Sequence, residues 1–561
     1  MATIANVPQR KTAALAQLLQ QAFVALHAGE AERVEALCLQ ILAHDVHHAD
    51  ALFVLGLSGR MRGRWEMAVN MMRRAIRSNP NVPLYHTNLG VTLQKLQQDD
   101  EAENCFRLAL KMQPDQPEAL CALGSLLCGR NENESAIGML RRAVDQVPDY
   151  SAAWNNLGIA LKQAGRVEEA LPCLKKALHL NPQDQTLRIN LGEVLDEANH
   201  FDEAVREVKQ VLDAEPENVK AKQLLSYACY HAGRPEEAIH FCEQALKYRP
   251  DHAPTLLNLA MMHLLMGDYP RGFAEYEVRY QVMACSTPEG PVWQGEDLSG
   301  KRILLTSEQG MGDMIQFLRY VDQVVATGAE VMVQLPERLV RLAQGIPGVS
   351  RWLKTGDALP EYDFHASLFS LPLRFGTTVE TIPGRVPYLT IPEDARKKAA
   401  ALNWPQDGLK VGFNWTGSPT HRVNRLRSIP LAMLEPLFDL PNLHLYSLQM
   451  GPGAAELAPY AERIHDLAPD TEDMADTAAQ MEHLDLVITI DTSIAHVAGA
   501  LGRPLWILLN TVPDWRWMTG RSDSPWYPTA RLIRQRQQGE WCAVVKELRR
   551  GLQHLLAHSS R

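Results

Sequence analysis

Two periodicities in the sequence predict an α-solenoid followed by a two-lobed, Rossmann-like α/β unit. In the first half, prolines recur at Pro80, Pro114, Pro148, Pro182, Pro216 and Pro250, a constant step of 34 residues, which is the length of one helix–turn–helix repeat. In the second half, short apolar runs alternate with helical stretches and end in polar or glycine-rich turns, the rhythm of parallel βα units. The 561 residues, 46% hydrophobic and 22% charged, have globular composition and length for about two to four domains.

Small residues keep step with the prolines. Gly56, Gly90, Gly124, Gly158 and Gly192 are one repeat apart, as are Ala68, Ala102, Ala136, Ala170, Ala204 and Ala238, and small side chains let paired helices approach closely. A third series, Ala75, Ala109, Ala143, Ala177 and Ala245, is interrupted by Val211, and turn glycines stand at Gly63, Gly165, Gly233 and Gly267. Residues from about Leu18 to about Tyr280 resemble the tetratricopeptide (TPR) family, with about seven to eight repeats in a domain spanning 1–284 and degenerate first and last units as caps. The class forms a superhelix whose groove binds peptides or partner proteins. Asn88, Asn156, Asn190 and Asn258 recur two residues before the glycine position, with other residues in the intervening copies. As donors and acceptors they either clamp a peptide backbone in the groove, as in the similar arrays of protein O-linked N-acetylglucosamine transferases, or stabilise neighbouring repeats.

Repeat spacing stops near Tyr280, and Cys285 to Gly300 is a Pro/Gly-rich connector. Strands are expected at Lys301–Ser307, Glu330–Gln334, Phe364–Ser367, Leu409–Asn414, Leu443–Leu448, Leu484–Ile490 and Pro504–Leu509, in lobes 285–400 and 401–561 that divide around Pro392 to Pro405. After the first strand comes Glu308-Gln309-Gly310-Met311-Gly312-Asp313 and a helix expected from Met314 to about Thr327; the glycines let the loop pass close to a ligand. Ile315 stands where a dinucleotide fingerprint needs its third glycine, and no acidic residue closes a second strand at the required distance, which argues against a nicotinamide dehydrogenase. The turn Asp491-Thr492-Ser493, between a buried strand and a short apolar helix, either caps that helix or offers its free N–H groups to a phosphate.

Five segments, EQGMGDMIQFLRY (308–320), WTGSPTHRVNRLRSIPL (415–431), YSLQMGP (446–452), 473–504 and 513–535, resemble bacterial TPR proteins that end in a glycosyltransferase domain related to the lipopolysaccharide heptosyltransferases, of GT-B fold. The resemblance implies a hexosyl- or heptosyl-type transferase whose C-lobe holds a nucleotide-sugar and whose N-lobe faces the acceptor. It makes Asp313 the general base of an inverting transfer, with capping of its own helix as the alternative role. Gly310, Gly312, Gln316 and His365 would then line the acceptor side, with Arg319 on the Gln316 face and a core position as the alternative for His365. Arg427 would grip the diphosphate bidentately, with Arg422 and Arg425 as rivals. Trp415, Gly417, Gln449 and Met474 would border the donor, Gln449 reading the base edge, while Asp491, Thr492, Ser493 and His496 would hold the phosphates. His496 is alternatively a buried helix histidine, and Trp515, Trp517, Trp526 and Tyr527 either shape a sugar pocket or pack the C-terminal tail.

The C-terminal half has no Asp-x-Asp, so no metal or other cofactor is expected beyond the nucleotide-sugar substrate. A net charge of −10 argues against nucleic acid. The N-terminus carries no export signal and no run is apolar enough for membrane insertion, pointing to the cytoplasm. Nine cysteines without a CxxC pair read as reduced core residues. The sequence thus points to a glycosyltransferase acting on a polypeptide bound by the repeats, with a non-catalytic TPR scaffold carrying a degenerate nucleotide-sugar-binding domain as the alternative and homo-oligomerisation left open.

Overall fold

The solenoid expectation comes first in the chain and is met by paired antiparallel helices. The computed structural model describes residues 7–283, 287–419 and 424–559. Among them, sixteen helices run in pairs from Val7–His27 to Tyr269–Tyr276. The marker glycines sit where the second helix of each repeat crosses the first. A Cβ on Gly90 would stand 2.5 Å from Phe106, on Gly124 2.6 Å from Leu140, and on Gly192 2.3 Å from Val208, so a side chain at these crossings would force the helices apart. The turn inside each repeat also keeps the period: Gly63, Gly165, Gly233 and Gly267 have positive φ, and Gln97, Asn131 and Asn199 adopt the same left-handed conformation in the intervening copies. Among the described residues no cysteine forms a disulfide, seven are buried and Cys542 is exposed; Cys285 lies outside the described residues.

The chain divides into two compact units, one ending at Leu224 and the other starting at Leu225, inside helix Val219–His231. The second unit therefore holds the last two helix pairs as well as the α/β part. Its apolar core runs from Leu264, Tyr269 and Phe273 into both sheets, and the Trp526 indole donates to the Tyr269 hydroxyl at 2.9 Å.

The α/β part contains two all-parallel sheets. The first has β1 (Arg302–Thr306), β2 (Glu330–Leu335), β3 (Val349–Lys354) and β4 (Phe364–Ser367), in the order β3-β2-β1-β4. The second has β5 (Leu409–Asn414), β6 (Leu443–Ser447), β7 (Ile464–Asp466), β8 (Leu486–Ile490), β9 (Leu505–Leu509) and β10 (Ala530–Arg534), in the order β10-β9-β8-β5-β6-β7. This is the Rossmann-like, two-lobed arrangement expected of the fold class. Strands β3, β7 and β10 were not anticipated, and each is an edge strand. Edge strands are half-solvated, so Ser350, Arg351 and Lys354 break the apolar run of β3, and β7 is three residues long.

The order reverses between β4 and β1 in one sheet and between β8 and β5 in the other, and ligands bind in the crevices outside the carboxyl ends of strands at such points. The Glu308–Asp313 loop follows β1, and the Asp491–Ser493 turn follows β8. The helix expected from Met314 is a corrected boundary: it begins at Met311, stops at Phe317 and resumes at Val321–Val325 after a 3₁₀ turn, which puts Asp313 in its first turn. Among the described residues no helix is long and apolar enough to cross a membrane.

Candidate functional site

Every residue of β8 is buried, and the chain leaves it into Asp491 and then helix Ser493–Ala500. Thr492 is the N-cap, yet its side chain makes no capping bond. Its hydroxyl turns back to Asn414 Oδ1 at 2.8 Å and meets the Thr489 hydroxyl at 3.2 Å. Among the described residues no side-chain oxygen covers the first N–H groups of the helix, which suits an anion. Arg427 reaches the same turn, donating from Nη1 to the Asp491 carbonyl at 2.8 Å. Its guanidinium lies over Gly417, where a Cβ would be 2.6 Å from Nη2, and its Nε is buried with no partner. Gly417, Arg427 and the Asp491–Ser493 turn are thus one cluster. Of Arg427's rivals, Arg425 is exposed and Arg422 lies outside the described residues.

On the other sheet, Asp313 Oδ2 accepts the Gly310 N–H at 3.2 Å, so the side chain caps its own helix with one oxygen. Its other oxygen, Oδ1, accepts from Arg516. Gly312 is where the loop meets helix Ser493–Ala500, because a Cβ there would be 2.5 Å from His496 Cδ2. His496 is buried, and its Nδ1 shares a 2.8 Å hydrogen bond with the Tyr527 hydroxyl. Burial, helped by the positive charges of Arg516 and Arg319, holds its pKa well below the usual histidine value. The imidazole is therefore neutral, with one nitrogen committed to Tyr527, which narrows the phosphate-donor role expected of it to the other.

Arg516 is the hub that the sequence did not reveal. Its side chain is 7% exposed; besides Asp313 it donates to Gln316 Oε1 at 2.6 Å and forms an ion pair with Asp514 Oδ1 at 2.8 Å. Burial works against its charge, and the carboxylates of Asp514, Asp313 and Asp491 overcome that and hold it protonated. The Asp514 carboxyl is pushed up to about 6 by burial and by the charges of Asp491 and Asp313, against the pull of Arg516. Carboxylates that follow β1 and β9 therefore share one guanidinium, and the charge of Asp491 after β8 acts on it as well. The available signal was the pair of charged residues set between Pro513, Trp515 and Trp517 just after a buried strand, where only an aromatic run was read.

Several expected site residues are elsewhere. Trp415 is fully buried in the core beneath β5, so it does not border a donor directly. Gln449 is also corrected: its Oε1 accepts from Asn414 Nδ2 at 2.9 Å and from the Trp415 and Thr416 N–H groups at 3.2 and 3.0 Å, and its Nε2 donates to the Met450 carbonyl at 2.9 Å. The amide clamps the loop after β5, with its oxygen and nitrogen both engaged by the protein. His365 pairs in register with Leu304, and its own N–H and C=O are bonded to Pro291 and Trp293. It stands on the face opposite Ile303 and Leu305, covered by the connector, and burial lowers its pKa; it does not line the crevice. Met474 opens helix Met474–Glu482 half-buried against the core. Arg319 is buried and donates to the Trp526 carbonyl at 2.8 Å, and Trp515, Trp517, Trp526 and Tyr527 are buried packing residues.

The asparagine series bonds within the array. Asn88 donates to the Leu84 carbonyl and accepts from Arg60, both at 3.0 Å. Asn156 donates to Cys121 Sγ at 3.4 Å, Asn190 to Asn155 Oδ1 at 2.8 Å and Asn258 to Ser226 Oγ at 3.0 Å. All four bond to the preceding repeat. This corrects the peptide-clamp expectation in favour of repeat cohesion.

Comparison with known proteins agrees with this architecture. Residues 453–540 match glycosyltransferase family 9 (heptosyltransferase), residues 136–256 the TPR domain of cytochrome c-type biogenesis protein H, and residues 84–116 a tetratricopeptide repeat. The chain therefore carries tetratricopeptide-repeat segments in its N-terminal region and, near its C-terminus, a segment similar to glycosyltransferase family 9. Protein FlbA of Caulobacter vibrioides is 27% identical over 331 residues, 51% of this chain and 53% of FlbA, so the chain spans about half the length of that relative. Among solved structures, Pseudomonas aeruginosa PilF is 22% identical with TM-score 0.33 over 36% of this chain and 92% of its own. YrrB, a TPR protein with an unusual peptide-binding site, is 22% identical with TM-score 0.30 over 33% and 95%.

Proposed function

We propose that the protein transfers a sugar from a nucleotide-sugar to a polypeptide acceptor recruited by its repeats, with inversion and without a metal. The observation that supports this most is the convergence of two switch-point loops, the Asp313 loop after β1 and the Asp491–Ser493 turn after β8, on Arg516 and His496. In this reading Asp313 takes the proton of an acceptor hydroxyl as its oxygen attacks the anomeric carbon. The bond to the nucleoside diphosphate breaks, and the leaving charge falls on the free N–H groups of helix Ser493–Ala500 and on Arg427. The family-9 match lies wholly within the second lobe, so the role of Asp313 rests on its geometry and on the motif around it. The reading places the reaction in the cytoplasm, with the repeats as the acceptor-recruiting part.

A scaffold reading is favoured by one observation, the engagement of Asp313 by Arg516, which leaves that carboxylate already partnered. Thermal-shift measurements against UDP-, GDP-, ADP- and CMP-sugars, followed by mass spectrometry of co-expressed polypeptides, separate the two. Stabilisation by one donor class together with a sugar mass on a polypeptide is expected; a protein that binds no donor contradicts the transferase reading.

A further inference from the structure

The residues that hold the Asp313 loop in place come from the end of the repeat array. Tyr276 closes the second helix of the last pair, and Arg279 opens the next turn, Arg279–Val282. The Arg279 side chain is fully buried and donates to Glu308 Oε1 from Nε at 3.1 Å and from Nη2 at 2.7 Å, and from Nη2 to Ser370 Oγ at 2.9 Å. Ser367, at the end of β4, donates to the same Glu308 oxygen. Burial opposes the Arg279 charge, and Glu308 overcomes it. The next residue, Gln309, has φ of +65°, a conformation that non-glycine residues rarely adopt. Its amide is held on both atoms by the Tyr276 hydroxyl, which accepts from Nε2 at 2.8 Å and donates to Oε1 at 3.2 Å. Gly310, which follows, carries the N–H that Asp313 accepts.

We propose that Tyr276 and Arg279 are positioning residues for the Asp313 loop, so that the last repeat is a working part of the transferase site rather than only a place where partners dock. The inference rests on the reading of Asp313 as the reacting carboxylate. The two N–H groups converging on one Glu308 oxygen fix where the loop leaves β1, and the tyrosine fixes the left-handed turn that brings Gly310 and Asp313 into register. Neither residue need touch donor or acceptor for this to act on the chemistry, since small misplacements of a reacting group are costly in rate.

The full-length protein with Tyr276→Phe, Arg279→Lys, and Tyr276→Phe combined with Gln309→Gly tests it, using the nucleotide-sugar that stabilises the wild type. Tyr276→Phe should lower kcat about tenfold while donor KM and the melting midpoint stay unchanged. Gln309→Gly in that background should recover most of the loss, because glycine adopts the left-handed turn without the tyrosine. Amide hydrogen exchange across 308–314 should quicken in Tyr276→Phe and Arg279→Lys. Unchanged kcat together with unchanged loop exchange in both variants overturns the proposal, as does a loss of activity that tracks only the melting midpoint. If the wild type turns over no donor, the transferase reading fails, and the exchange measurement alone decides whether these residues position the loop.

Discussion

Arg516, in the segment after β9, donates to the carboxylate of Asp313, in the first turn of the helix after β1, and so ties a loop of one Rossmann-like sheet to a loop of the other. The same guanidinium binds Gln316 and Asp514. Orientation of Asp313 and cohesion between the two lobes thus depend on one side chain.

Replacing Arg516 with glutamine should leave Asp313 and Asp514 facing each other without a cation. Breaking a buried ion pair in this way costs about 3 kcal/mol, to be read from chemical denaturation at neutral pH. Arg516→Lys should recover part of the stability but not the three-way geometry, because an ammonium lacks the planar fork. An Arg516→Gln protein as stable as the wild type would show that the cluster carries no net stability.

The raised pKa of Asp514 sets a pH dependence with a definite sign. Its folded value of about 6 lies above its ordinary value of 3.8, so between these limits the folded state binds more protons than the unfolded one. This group's contribution to stability therefore falls as pH rises from about 4 to about 6 and is flat above. Asp514→Asn should remove that slope, and denaturation curves of both proteins at intervals across the window would show it. Parallel stability profiles would mean that Asp514 titrates normally.

The two glycines of the loop should differ sharply. Alanine at Gly312 would place its Cβ 2.5 Å from the buried His496 ring, whereas at Gly310 it would meet Asp313 Oδ2 at 3.0 Å, with an ordinary φ of −83°. Gly312→Ala should displace the loop and lower turnover about a hundredfold, while Gly310→Ala should stay within a few-fold. Equal losses would show that His496 does not set the approach of the loop.

Asn258 is buried and donates to Ser226 Oγ and Cys242 Sγ, so Asn258→Ala should cost about 1 kcal/mol by removing those bonds. The half-exposed Asn88 should cost less when replaced by alanine. Urea denaturation measures both, and a greater loss at Asn88 would contradict the cohesion role.

Much of this architecture was legible in the sequence because it depends on local spacing. The 34-residue period locates helix crossings through glycines such as Gly90 and Gly192, and the central strands β1, β8 and β9 are almost wholly apolar runs. Edge strand β3 was hidden by its own polar residues and β7 by its three-residue length. The site was readable where a turn carries its chemistry locally, as at Gly310–Asp313 and Asp491–Ser493. It was unreadable where partners are remote in the chain: Arg516 lies 203 residues from Asp313, and Gln449 is spent on N–H groups about thirty residues away. Spacing also cannot separate an asparagine that faces a groove from one bonded to its neighbour, since both recur with the repeat.

The central claim is that Asp313 is the base of a sugar transfer, and the direct measurement is single-turnover transfer by wild type and Asp313→Asn at saturating donor. Asparagine keeps the size and the capping oxygen but cannot accept the proton. The account predicts unchanged donor affinity with transfer reduced by about a hundredfold or more. An Asp313→Asn protein that transfers sugar at the wild-type rate would contradict it.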